Sequence, residues 1–100
     1  MKMSNLILLT IIAEESLALA IENEIVRIGA KGYTTSIVSG KGVSGIRDNQ
    51  WDGENIKIET IVSEEHCQEI LTHLEKKYFE RYAIIVFYHP VSVIRTQHFM

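Results

Sequence analysis

The segment from Leu6 to Ala13 reads Leu-Ile-Leu-Leu-Thr-Ile-Ile-Ala, apolar on both faces of an extended chain apart from Thr10. Successive side chains of a strand point to opposite sides of its sheet, so a strand of this composition has to be covered on both. A membrane-spanning helix needs about 20 apolar residues, more than this run holds. Glu14 and Glu15 follow it at once, with no small-residue cleavage site of a secretory signal. The segment therefore predicts a central β-strand, in a chain placed in the cytoplasm. The rest of the sequence must supply its two covers.

One cover is readable as a pair of helices. Over residues 15–28, Leu17, Ala20, Ile21, Ile25 and Ile28 recur at spacings of three and four, the pattern of an amphipathic helix. Gly29 and Gly32 bracket its end, where a left-handed cap or turn is wanted. A second helix is predicted over 63–81. Ser63 suits its N-cap, Glu64 and Glu65 its first turn, and Lys76, Lys77 and Arg81 its far end. Cys67, Ile70, Leu71, Leu74 and Tyr78 form its apolar face.

Strands are predicted over 33–38, with Thr34, Thr35, Ile37 and Val38, and over 56–62. In the latter Ile56, Ile58 and Val62 point one way and Lys57 and Glu59 the other. A last strand is predicted over 82–88, ended by Pro90, with a further short strand over 91–96. The order strand, helix, strand, strand, helix, strand is that of a ferredoxin-like α+β sandwich, βαββαβ, with a four-stranded antiparallel sheet. Its 100 residues make a single domain, 1–100. Both helices then lie on one sheet face. No element remains to cover the other, so packing against sister subunits is expected.

The net charge of −3 and pI near 5.8 argue against a nucleic-acid binder, which carries a basic stripe. The single cysteine, Cys67, excludes an intramolecular disulfide and falls on an apolar helix face as inert core. His66 and His73 stand two helical turns apart, too far to share a metal ion unaided. No nucleophile–base set can be assembled, so no catalytic residue is assigned and the chain reads as a non-enzyme.

One connection is out of proportion. Antiparallel hairpins usually close through two to five residues, whereas residues 39–55 make a loop of about 16, and long loops carried by compact domains tend to have a use. The loop opens Ser39-Gly40-Lys41-Gly42. Glycines free backbone N–H groups and permit the positive φ angles of an anion nest. Lys41 adds a point charge and Arg47 a fork suited to phosphate oxygens. The spacing is not that of a Walker motif, and a plain flexible hairpin base is the other reading. Trp51, amid Asp48, Asp52 and Glu54, is a candidate contact for a partner protein. Folding back on its own subunit is the alternative.

Four strings standing in order, Gly29 to Thr34, Ser39 to Gly42 with Arg47, Asn55 to Glu59 and Lys77 to Ala83, resemble the PII-like signalling proteins. The similarity is strongest to the branch associated with bicarbonate transport and carboxysomes. It implies a homotrimer with adenine-nucleotide clefts between subunits, for AMP, ADP, ATP or cyclic AMP. It also implies that the long loop is a T-loop, which orders or disorders with the ligand and regulates a membrane transporter or a metabolic enzyme. The inner membrane would be reached through a transporter. By the same resemblance Thr34 reads the adenine edge. Gly40, Lys41 and Gly42 meet ribose and phosphates, and Arg47 and Arg95 reach the phosphates. The chain departs from the family pattern in lacking the glycine-rich B-loop that classical members carry before the last strand, the loop tyrosine that is uridylylated in nitrogen-regulating members, and the cysteine-bearing C-terminal extension of some carbon-linked members. Two other families share parts of this pattern, the CutA-like metal-linked trimers and the ACT-like small-molecule-binding domains.

Overall fold

The computed structural model describes residues 3–40 and 54–94. Strand β1 spans Ser4–Glu14, helix α1 Ala18–Ile28, strand β2 Thr34–Val38, strand β3 Asn55–Val62, helix α2 Glu64–Tyr78 and strand β4 Ile85–Val93. The sheet order is β2-β3-β1-β4 with every neighbouring pair antiparallel. This is the ferredoxin-like α+β arrangement, with β1 inside the sheet between β3 and β4.

The register assigns each side of β1. Leu9, Ile11 and Ala13 lie opposite Thr60, Ile58 and Ile56 of β3, and these apolar residues share one buried cluster with Ile21 and Ile25 of α1 and Cys67, Ile70, Leu74 and Tyr78 of α2. Both helices therefore cover that face. The opposite face carries Leu6, Leu8 and Ile12, paired with Val91, His89 and Ile85 of β4, and Leu8 also with Ile61 of β3. No helix lies over it. Ile85 and Phe87 are 39% and 48% exposed there.

Several boundaries differ from the sequence reading. Residues Glu15–Leu17 form a single 3-10 turn, because Glu14 offers no side-chain cap and the α-helix starts only at Ala18. Ala20, expected on the apolar face of α1, is exposed. Helix α2 stops at Tyr78, whose carbonyl accepts from the Arg81 and Tyr82 N–H groups in a closing turn. Pro90, opposite Ile7, does not end the last strand: β4 runs through it to Val93, opposite Ser4. As an edge strand, β4 has one side without a partner strand, where a missing N–H costs nothing. Of the short strand expected at 91–96, residues 91–93 are thus the end of β4, and 95 and 96 lie outside the described residues.

Gly29 caps α1 with φ +152°, while its N–H and that of Ala30 both donate to the Ile25 carbonyl. A Cβ at Gly29 would stand 2.6 Å from the His66 ring, so the glycine admits the start of α2 against the end of α1. Gly32 has no such φ, so no left-handed turn is needed there. Farther along, the two helices are joined by a polar knot around Glu24, 7% exposed on α1. Tyr78 Oη donates to both of its oxygens at 2.9 and 3.1 Å, His73 Nε2 donates at 2.9 Å, and Lys77 forms an ion pair with it. Burial pushes the Glu24 carboxyl up, but the hydrogen bonds from Lys77, His73 and Tyr78 outweigh it and hold the group below its ordinary range. Burial and the Glu24 carboxylate push the Tyr78 phenol up. Burial, with Glu64, also raises the Cys67 thiol.

Candidate functional site

On the open face, where β2 begins, the sheet is notched by a groove of about 440 Å³. Its walls are Leu8 from β1, Gly32, Tyr33 and Thr34 at the entry to β2, and Glu59, Thr60 and Ile61 from β3. The antiparallel register sets Thr34 directly across from Glu59. Thr34 and Gly32 are exposed, and a Cβ at Gly32 would meet nothing within 4 Å. The space over Gly32 is thus open to an outside group.

The chemistry of these walls is specific. Leu8, Ile61 and the Tyr33 ring give apolar surface, while the Thr34 hydroxyl and Glu59 carboxylate give one group that can donate or accept and one that accepts. A flat heteroaromatic ring with polar edges fits such a setting. A phosphate does not, since among the described residues no lysine or arginine lines the groove and its charged wall is anionic.

Of the residues expected to bind nucleotide, the structure places two. Thr34 lies in the groove, and Gly40 lies beyond the other end of β2. Six residue steps separate them, at most about 20 Å of extended chain at roughly 3.3 Å each, of which the β2 strand itself runs from Thr34 to Val38. Gly40 is exposed and does not adopt a left-handed φ. Lys41, Gly42, Arg47, Trp51 and Arg95 lie outside the described residues. Glu59, Ile61 and Leu8, not singled out in the sequence, join Thr34 in the groove. The signal that could have found Glu59 and Ile61 is register: with Thr34 taken as the first paired residue of β2, the groove's other wall falls on the end of the 56–62 strand.

Among the described residues no group of three or more histidine, cysteine, aspartate or glutamate side chains could hold a metal ion, and no helix is long and apolar enough to cross a membrane.

Among the described residues, then, this is a ferredoxin-like domain with one apolar sheet face left without a helix and a groove cut into that face. The model of the nitrogen regulatory protein P-II family matches residues 6–98, and the chain belongs to that family. It is similar to a Thermus thermophilus protein assigned as a PII-like signaling protein, with 43% identity over the whole of both chains and a TM-score of 0.86. It is also similar to CPII from Thiomonas intermedia, solved bound to ADP, AMP and acetate, with 31% identity, 99% and 98% of the two chains covered and a TM-score of 0.84. CPII has also been solved bound to ADP and bicarbonate. B. subtilis GlnK shares the fold, at 18% identity and a TM-score of 0.63 over 88% and 86% of the chains. No curated protein sequence matches the chain.

Proposed function

We propose that this chain is a PII-like signal-transduction protein, a homotrimer that binds an adenine nucleotide in clefts between subunits and regulates a transporter or enzyme through its 39–55 loop. The observation that carries this reading is the separation of Thr34 from Gly40 along β2. One chain offers a groove with no cation among its described lining residues at one end of the strand, and the start of the glycine- and lysine-bearing loop beyond the other. Neighbouring copies can bring the two ends to one nucleotide. The uncovered apolar face supplies the contact between copies.

The nucleotide found with CPII supports an adenine base, and its bicarbonate supports an inorganic-carbon role for this chain over a nitrogen one. In the proposed mechanism the base seats against Thr34 in the groove of one subunit. Lys41, Arg47 and Arg95 gather the phosphates, and the loop is biased between states that differ in fitness for a partner. Such a shift is limited by the ligand's differential affinity for the two states, a few kcal/mol for a full switch. The protein acts by binding and not by catalysis, in the cytoplasm, with any membrane association made through a transporter.

Calorimetry with AMP, ADP, ATP and cyclic AMP, with and without bicarbonate, tests the reading. Micromolar to submillimolar binding of one of them is expected, weakened by Thr34→Ala and by Lys41→Ala but not by His66→Ala. No binding of any nucleotide at millimolar concentration would overturn it.

A further inference from the structure

The groove is built at a place where the sheet gives out. Ladder pairing of β2 with β3 starts at Thr34, opposite Glu59. Tyr33 and Gly32, which form the outer wall, precede the first ladder pair and need another support. Thr60 provides one: its hydroxyl donates to the Gly32 carbonyl at 2.6 Å, and the residue is 2% exposed. One position past Thr34, the Thr35 hydroxyl donates to the Glu22 carboxylate of α1 at 2.7 Å. Thus one side-chain hydrogen bond holds the backbone before Thr34, at Gly32, and another ties the Thr35 side chain after it to α1.

We propose that Thr60 is a positioning residue of the groove: through the Gly32 carbonyl it sets the wall on which Thr34 meets the ligand, with the Thr35–Glu22 bond as the second half of the clamp. The inference rests on the nucleotide reading given above. A buried hydroxyl in an apolar cluster is retained at a cost unless it has a partner. Here the partner is a carbonyl of the groove wall itself. Gly32 has open space where a side chain would stand, so no packing of its own fixes it. Without the Thr60 bond, Gly32 would lose its side-chain support, and the wall would rest on the covalent chain, the first ladder pair and the Thr35–Glu22 bond. A ligand would then have to order it on binding, at a loss in affinity.

The test uses full-length wild-type protein, Thr60→Val, Thr60→Ser and Thr35→Val, with ADP as the probe. Calorimetry gives the affinity, and amide hydrogen exchange gives the local order. Thr60→Val keeps the shape of the side chain and removes the hydroxyl. It is expected to weaken ADP about five- to tenfold, the scale of one hydrogen bond, and to speed exchange at Tyr33 and Thr34 while Ile11 and Ile58 stay protected as in wild type. Thr60→Ser restores the hydroxyl and is expected within about twofold of wild type, which a purely packing role would not give, since serine loses the methyl. If Thr60→Val does not fold, Thr35→Val reads the other half of the clamp, with a loss of ADP affinity in the same range. Unchanged ADP affinity in a folded Thr60→Val, or in Thr35→Val where Thr60→Val does not fold, overturns the positioning role and leaves the nucleotide reading standing. Absence of ADP binding by the wild type, with another adenine nucleotide bound in the same assay, moves the comparison to that nucleotide; absence of all of them overturns the nucleotide reading and the positioning role with it.

Discussion

At the scale of single residues, glycines that look alike in the sequence turn out to serve different ends. Gly29 meets two demands of its own chain, a backbone conformation that L side chains rarely adopt and a gap filled by His66. Gly32 meets neither demand, and the space it leaves faces the groove. Gly29→Ala is therefore expected to destabilise the fold by about 1–3 kcal/mol, through strain and a clash at the junction of α1 and α2; urea unfolding would measure it. Gly32→Ala should leave stability within about 0.5 kcal/mol yet weaken nucleotide binding, which calorimetry on the same sample would separate. Local sequence rules see the need for a cap after Ile28 but cannot tell a glycine kept for its chain from one kept for a ligand. That distinction depends on His66, which is distant in sequence, and on empty space, which no residue records.

Among the elements, those with a strong local period were legible. The alternation of Ile56, Ile58 and Val62 with Lys57 and Glu59 appears in β3 as expected, and the apolar face of α2 is the one the spacing foretold. The edge strand was not, because a proline is read as a terminator until the sheet order shows β4 at the edge. The bond between the helices was not legible either. Glu24 meets His73, Lys77 and Tyr78 across about fifty residues of chain, and no short-range pattern announces such a pairing. Its consequence can be measured. Since folding lowers the Glu24 pKa below its ordinary 4.5, the carboxylate stabilises the fold fully above that value. The contribution is lost as pH falls through the lower, folded-state pKa. Glu24→Gln should cost about 1–3 kcal/mol at neutral pH and flatten the fall of stability between neutral pH and pH 3. Thermal unfolding followed by circular dichroism across that range would show a wild-type curve steeper than the variant's.

For the whole molecule, the uncovered face decides. A sheet with Leu8, Ile12, Ile61, Ile85 and Phe87 on its outer side asks for a second layer, and none of the described elements supplies one. Burying a large apolar side chain is worth roughly 1.5–3 kcal/mol, and a carboxylate at such a place would be stranded. Phe87→Asp is accordingly expected to shift the protein from trimer to monomer in light scattering, while far-ultraviolet circular dichroism stays that of the folded chain. It should abolish nucleotide binding as well, because the cleft disappears with the contact. The need for this cover was already visible in the apolar run from Leu6 to Ala13. The groove was not, since it belongs to the edge of the ladder and not to any run of residues.

The length of β2 has one more consequence, which concerns mixtures. If the base end and the phosphate end of a cleft belong to neighbouring copies, a Thr34→Ala subunit and a Lys41→Ala subunit are damaged on different sides. Each alone should form trimers whose three clefts are all defective. Unfolded and refolded together, they should form mixed rings in which one cleft in three pairs an intact Thr34 with an intact Lys41. Nucleotide binding should then reappear from two inactive parents, at about a third of the wild-type stoichiometry or less. A strand of five residues would thereby make subunits genetically complementary, so that two impaired alleles in one cell restore part of the signal that neither carries alone.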